Sequence, residues 1–283
     1  AGKSGLQVGD RINNIEGKDG RLQTGQTVTL VVVREGETLR FNITAIPRPN
    51  SYRMFRLASG IMALGFLFSG LVAFLLTGSR PSIIFFFYGI CRAIHDSGQP
   101  NTSSTELQNL IHSMVLLAMM HSASLFLHFT LVFPKPWTIS LRKSTWVWLY
   151  MPVVLAFLLT AVKTVLPSTN PTAISLTSVF YYVALIPAYL YTLLAVLVIV
   201  TRFLRAKTKE RQTFGLDIML WGTALAFLPY FVVLVIEAQL PSITIPGGQG
   251  SHLFTLFFIF LPITFTYAIL KNHKLMKGKG FIT

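Results

Sequence analysis

Five polar side chains lie at helical spacing near the end of an apolar segment of this sequence. They are Tyr88, Arg92, His95, Asp96 and Gln99. Residues spaced by three, four and seven positions share one face of a helix, so a helix would present all five on the same side. An ionised group at membrane depth is costly unless it is paired or hydrated. We therefore expect this face to turn toward other helices or toward a water-filled cavity.

Two interpretations of this polar face are open. In the first, Arg92 and Asp96 form an ion pair at i, i+4 that satisfies itself, and the end of the helix emerges into water. In the second, the face lines an outward-facing ligand pocket, completed by Glu237 and His252 at the outer ends of later apolar segments. The candidate ligand-binding residues are then Tyr88, Arg92, His95, Asp96, Gln99, Glu237 and His252.

A second polar group consists of His121, Ser124 and His128, which also share one helical face. The two histidines are two turns apart, about 10 Å along a helix axis, which is too far for one metal ion unless other helices bridge them. We predict that they pack against neighbouring helices and bond to them, with a pH-sensing role as the alternative. No metal site is predicted.

Enzyme motifs are missing from these 283 residues. The sequence has no H-E-x-x-H zinc motif, no G-x-S-x-G nucleophile elbow and no phosphate-binding P-loop. We predict no catalytic residue and no cofactor in this stretch of chain.

The composition is that of a membrane protein. Hydrophobic residues make up 52% of the chain and charged residues only 12%, about half the usual charged fraction of a soluble domain; the mean hydropathy is +0.60. The net charge of +14 comes from short basic runs between apolar segments, a distribution that favours membrane topology over nucleic-acid binding. Cys91 is the single cysteine, so an internal disulfide is excluded.

The apolar segments predict an all-α polytopic membrane bundle of seven transmembrane helices, preceded by a small β-rich domain. A bilayer core of about 30 Å requires about 20 apolar residues per helix. The predicted spans are 57–77, 82–100, 107–133, 145–166, 175–204, 213–238 and 251–271. In the second span only 82–91 is cleanly apolar, and a run of that length is also typical of a re-entrant segment.

The charge of the loops predicts the orientation in the membrane. The loops near 101–106, 167–174 and 239–250 contain no Lys or Arg, whereas the loops between them are basic. Because basic loops stay in the cytoplasm, the N-terminal piece is expected outside and the C-terminus inside. Arg48, Arg53 and Arg56 favour the reverse orientation, but translocated domains largely escape this rule.

Residues 1–46 are predicted to form a small β-rich domain, and residues 47–56 a linker to the first span. "TVTLVVVREGETLRFNITAI" reads as a hairpin with Gly36 in its turn. "SGLQVGDRINNIEGK" and "TGQTVTLVVVREGETLRFNI" resemble PDZ domains. In that family the carboxylate-binding strand would lie before Ala1, and the groove helix would need more than the nine residues 18–26. The resemblance implies a partial, degenerate PDZ-like domain that serves in docking or as a lid and does not bind peptide C-termini.

Two further stretches, "HFTLVFPKP" (128–136) and "LPITFTYAILKNHKLM" (261–276), are similar to the membrane sensor regions of bacterial histidine kinases. Together with an extracytoplasmic PDZ-like domain and about seven helices, the arrangement resembles the pheromone-sensing kinases of quorum sensing. The resemblance implies a multi-pass protein of the bacterial cytoplasmic membrane, with an unknown extracellular or membrane ligand. It also implies a basic stalk at 272–283, a kinase domain beyond it that forms a homodimer, and a response regulator as partner.

On this reading the prolines of the later spans and the lysines of the exit helix relay the signal. The relay residues are Pro229, Pro262, Lys271 and Lys274. Lys277 replaces the acidic residue usual in the family, which leaves a serine phosphatase or a nucleotide cyclase as alternative outputs. A small-molecule transporter is the alternative from another class, but the sequence shows no internal repeat.

Overall fold

The structure is a computed structural model. It describes residues 5–6, 11–16, 25–34, 36–45, 50–97, 105–138, 142–165, 171–239 and 255–278.

The N-terminal part contains an antiparallel sheet of three strands in the order β1-β2-β3. Its strands are β1 (Arg11–Glu16), β2 (Thr27–Arg34) and β3 (Glu37–Thr44). The predicted hairpin is confirmed, since Arg34 pairs with Glu37 across a turn in which Gly36 has φ of 89°. In β2, Val28, Leu30 and Val32 alternate onto a buried face, as expected of a sheet with one face covered.

The rest of the described chain is helical. The helices are α1 (Asn50–Thr77), α2 (Arg80–Asp96), α3 (Thr105–Val132), α4 (Lys143–Val165), α5 (Pro171–Arg205), α6 (Thr208–Phe214), α7 (Leu216–Gln239) and α8 (Phe260–Gly278); a short 3-10 helix (Thr255–Ile259) precedes α8.

Within the described residues, six segments are long and apolar enough to cross a membrane. They are Arg53–Thr77, Leu110–Val132, Lys143–Val162, Tyr182–Arg205, Leu216–Val233 and Thr255–Leu275. The remaining predicted span corresponds to α2, which has 17 residues and is therefore about 26 Å long, slightly shorter than a bilayer core of about 30 Å. A mostly helical fold with six candidate membrane spans and a small N-terminal sheet is thus confirmed, whereas the seventh crossing stays a prediction.

Several helix ends differ from the sequence-based bounds. α1 begins at Asn50, inside the segment predicted as a linker. α2 ends at Asp96 and not at residue 100, because the Ser97 hydroxyl and N–H cap the carbonyls of Ile94 and Ala93. α8 continues through the predicted stalk to Gly278.

The outward faces of the helices are strongly apolar. Along α1 the exposed stripe repeats every three or four residues and consists of Leu57, Ile61, Leu64, Phe68, Val72 and Leu75. α4, α5 and α7 carry similar exposed side chains, among them Phe157, Leu193 and Phe231. Soluble proteins rarely expose apolar surface on this scale, so these stripes fit contact with lipid.

α3 is the central helix of the bundle and contacts α2, α4 and α5. Its span is 78% buried, whereas the other five candidate spans are 17% to 33% buried. Aromatic rings from four helices meet in the core and form what we term the central aromatic cluster. Its members are Phe66 of α1, Phe85 and Tyr88 of α2, Phe126 and Phe129 of α3, and Phe265 of α8.

α1 and α2 form a tight hairpin. Gly78, with φ of 56°, makes the two-residue turn, and the Ser79 hydroxyl caps α2 by accepting from the Ser82 N–H at 3.4 Å. The two helices approach so closely at Gly89 that a Cβ there would lie 2.5 Å from the Phe66 carbonyl oxygen. This contact fixes the height at which α2 presents its polar face.

Candidate functional site

The last two turns of α2 hold the polar face predicted from the sequence. Arg92, His95 and Asp96 come together there, and Tyr88 lies one turn earlier on the same face. The side chain of Asp96 is only 4% exposed, whereas those of Arg92 and His95 are 20% and 29% exposed. The carboxylate is therefore the most deeply buried charged group of this face.

One carboxylate oxygen serves two partners. Arg92 Nη2 donates to Asp96 Oδ1 at 2.9 Å, and His95 Nδ1 lies 2.8 Å from the same oxygen. Asp96 Oδ2 and Arg92 Nε are buried and make no hydrogen bond to the described part of the chain. The i, i+4 pair required by the first interpretation is present, but it leaves one acceptor and one donor unused. Because both atoms are buried, a ligand reaches them only if the end of α2 opens.

The apolar side of this face consists of aromatic rings. The Arg92 guanidinium lies 5.4 Å from the centre of the Phe66 ring, a distance at which cation and ring attract each other. Tyr88 meets Phe66 edge-on at 5.5 Å and stacks on Phe126 at 5.4 Å. Tyr88 is thus part of the core and connects the polar face to it.

Three predicted pocket residues lie outside the described part of the structure: Gln99, the side chain of Glu237, and His252. Their place in an outward-facing pocket stays a prediction. The structure brings together Tyr88, Arg92, His95 and Asp96.

The histidines of α3 pack against α4. His128 Nδ1 lies 2.8 Å from the Tyr150 hydroxyl, and its ring meets Trp146 edge-on with centres 3.9 Å apart. The His121 ring lies 5.7 Å from that of Tyr150. The predicted bonding of these histidines to a neighbouring helix is confirmed for His128. Within the described residues no three His, Cys, Asp or Glu side chains come close enough to hold a metal ion.

The two predicted relay prolines differ in their place in the helix: Pro229 is internal and Pro262 is near a helix start. Pro229 lies inside α7, and its neighbours Phe227 and Tyr230 contact Phe258 of the 3-10 helix, with ring centres 4.9 and 5.8 Å apart. Pro262 lies in the first turn of α8, where a missing N–H is tolerated. Because Pro262 has no N–H, the α-helical bond to the Phe258 carbonyl is missing where α8 meets the 3-10 segment.

α8 connects the core to the predicted stalk. Its Phe265 is fully buried and lies 5.8 Å from Phe126 and 5.5 Å from Phe129 between ring centres. Two turns further along, the same helix carries Lys271 and Lys274. Phe265 therefore joins the central aromatic cluster to the helix that carries the predicted relay lysines.

Sequence reasoning missed the contribution of Phe85, Phe126 and Phe265. These residues belong to three different helices, and hydrophobic periodicity within one helix cannot say which side chains of another helix it meets. Their role appears only once four helices are assembled.

Comparisons with known proteins found no match for this chain. No protein-family model matches it, and no curated protein or solved structure is significantly similar to it.

Proposed function

We propose that this chain is the transmembrane signal-perception module of a bacterial sensor histidine kinase. It lies in the cytoplasmic membrane with its N-terminal domain outside, and it relays a signal to a cytoplasmic kinase domain through α8. The observation that carries the proposal is the unbroken contact from the polar face of α2, through the central aromatic cluster, to α8.

The contact has two steps. Tyr88, one turn from the Arg92–Asp96 pair, stacks on Phe126 of α3 at 5.4 Å and an interplanar angle of 18°. Phe126 in turn stacks on Phe265 of α8 at 5.8 Å and 28°. Close-packed rings of this kind rearrange between discrete packings and do not deform continuously. A change in the rotamer of Tyr88 therefore has a direct route to the exit helix.

A ligand would act on this route through the two polar atoms of α2 that have no hydrogen-bond partner in the described residues, Asp96 Oδ2 and Arg92 Nε. A ligand that offers a hydrogen-bond donor to Asp96 Oδ2, or an acceptor to Arg92 Nε, competes with or adds to the existing pair. Binding can shift a two-state bundle only by its different affinity for the two states. The Arg92–Asp96 pair supplies that difference if one state keeps it closed and the other opens it to ligand.

The output end is suited to a rigid shift of α8. Thr266 Oγ1 of α8 donates to the Ser69 carbonyl of α1 at 3.0 Å, and a Cβ on Gly222 of α7 would overlap Thr264 of α8. These contacts pack α8 closely against α1 and α7, so the helix would move as a unit, and the 3-10 segment before it gives a point where the backbone changes pitch. Residues 1–46 serve as a degenerate PDZ-like domain, which the β2–β3 hairpin supports.

The experiment uses the full-length protein in membrane vesicles incubated with radiolabelled ATP. We expect phosphate on the protein that is labile in acid and stable in alkali, as phosphohistidine is, and its transfer to a purified response regulator. Phosphate release from phosphoserine substrates, formation of a cyclic nucleotide, or solute uptake by the vesicles without protein phosphorylation would each contradict the proposal.

A further inference from the structure

A second site lies far from the polar face of α2, where three candidate membrane spans end. The spans Leu110–Val132 and Tyr182–Arg205 end there, and Leu216–Val233 begins there. Between them is a groove of about 260 Å³ formed by the segment after α3, the end of α5 and the short helix α6. Its place at the ends of the spans puts it at the level of the lipid headgroups.

The groove is basic and aromatic. Its lining includes Lys135, Trp137, Arg202, Arg205, Glu210 and Phe214. Glu210 is the one acidic side chain among the lining residues, and its carboxylate lies 3.8 Å from the Lys135 ammonium. Arg202 and Arg205 have no acidic partner within the described part of the chain. Two guanidinium groups are therefore left to attract an anion.

Arg202 is held in place by contacts that leave its charge uncompensated. Its Nη2 donates to the Leu131 carbonyl at 2.8 Å, and its guanidinium lies 5.2 Å from the centre of the Trp137 ring. The backbone N–H of Trp137 also donates to the Leu131 carbonyl, at 3.0 Å. Arg202 Nε is buried and makes no hydrogen bond to the described residues. A guanidinium held in place in this way, with Arg205 beside it in the lining of the groove, suits recognition of a phosphate.

The size and surroundings of the groove favour a lipid over a soluble anion. Closed pockets for small molecules measure about 300–1,000 Å³, so this groove accommodates only part of a larger ligand. Beside it Leu204, 67% exposed, continues the apolar surface of α5. A phospholipid can place its phosphate in the groove while its acyl chains lie along that surface. Aromatic and basic residues together are typical of this interface.

We propose that this groove binds the phosphate of an anionic phospholipid and that Arg202 and Arg205 contact the phosphate. The site depends on membrane insertion and not on the assignment as a kinase. Because α5 and α6 form its walls and α6 contacts α8, a bound lipid would hold together the ends of the helices around the exit of the chain.

The test counts the lipids that the protein retains. The protein is assembled in nanodiscs of phosphatidylglycerol and phosphatidylcholine, transferred to mild detergent and examined by native mass spectrometry. We expect the wild type to retain phosphatidylglycerol selectively. Arg205→Gln, which leaves the Arg202 contacts intact, should lower its occupancy about fivefold, the contribution of one basic group beside an anionic lipid surface. Arg202→Gln/Arg205→Gln should lower it further.

The matched control is Arg142→Gln/Lys143→Gln, which removes two exposed charges near the start of α4 without touching the groove. It should retain lipid as the wild type does. Equal loss in this control and in Arg202→Gln/Arg205→Gln, or unchanged occupancy in Arg205→Gln, overturns the proposal. So does equal retention of phosphatidylcholine, and so does displacement of the lipid by inorganic phosphate at equal concentration, which indicates a soluble anion site.

Discussion

At the scale of single residues, the Asp96 carboxylate decides the properties of the polar face of α2. It is almost fully buried and shares one oxygen between Arg92 and His95. Burial of an ion pair contributes little net stability, whereas removal of one partner leaves an uncompensated charge. The pair is therefore better suited to hold a conformation than to strengthen the fold.

Arg92→Ala should lower the free energy of unfolding by about 3 kcal/mol, because it leaves Asp96 buried with only His95 as partner. Arg92→Ala/Asp96→Ala should be less destabilised than the sum of the two single variants, by about 1 kcal/mol or more. Denaturant titration in detergent measures the free energy of unfolding of the wild type, the two single variants and the double variant. Additive single-variant effects would show that the two side chains do not act as a pair.

The Arg92–Asp96 pair was predictable from sequence because both residues belong to one helix and their spacing sets their distance. The sequence did not predict that Asp96 Oδ1 also lies within hydrogen-bond distance of His95. It also did not predict that Arg92 contacts Phe66. Neighbours at i, i+1 do not ordinarily face each other on a helix, and Phe66 belongs to another helix. Such contacts require the packing of α1 against α2.

At the scale of elements, the α1–α2 hairpin sets the height of the polar face. Gly89→Ala should destabilise the protein by about 1–3 kcal/mol, the usual effect of overpacking. The new methyl group would meet the Phe66 carbonyl, which is backbone and can move only if the two helices separate. Thermal unfolding in detergent measures the effect.

Gly60→Ala is the matched control, since nothing lies within 4 Å of a Cβ at that position of α1. It should be neutral, or more stable by up to about 1 kcal/mol through the higher helix propensity of alanine. Equal destabilisation by both variants would contradict the close approach at Gly89.

Most ends of the long helices were predictable from sequence to within a few residues, because runs of about 20 apolar residues give a strong pattern. The start of α1 and both ends of α8 lie further from the predicted bounds. The predicted span 107–133 became Thr105–Val132, for example. The short elements were not predicted. α6 has seven residues, too few for a periodic pattern, and its bounds depend on the Glu210 carboxylate at the Lys207 N–H and on Gly215 with φ of 68°.

At the scale of the whole molecule, the number of crossings depends on α2. Reporter fusions after residues 104, 170 and 245 should lie outside, and those after 139, 208 and 280 should lie in the cytoplasm. The fusion after 104 is the decisive one, because only α2 separates it from the turn at Gly78. If α2 does not cross, 104 reports the same side as that turn and every later fusion is inverted.

The coupling between the polar face of α2 and the exit helix α8 is also a property of the whole molecule. Asp96→Asn removes the charge that Arg92 and His95 share, so it should change the signalling state without any added ligand. Phe265→Leu removes the ring that joins α8 to Phe126 and should disconnect that change from the output. Phe68→Leu, in a side chain 59% exposed on the outer face of α1, is the control background.

The most direct measurement is the level of acid-labile phosphate on the full-length protein in membrane vesicles, normalised to the amount of folded protein. Asp96→Asn should change this level by about fivefold, the lower end of typical coupling between sites. The same change is expected in the Phe68→Leu background and no change in the Phe265→Leu background. An undiminished effect of Asp96→Asn in the Phe265→Leu background would contradict the proposed route through the aromatic cluster.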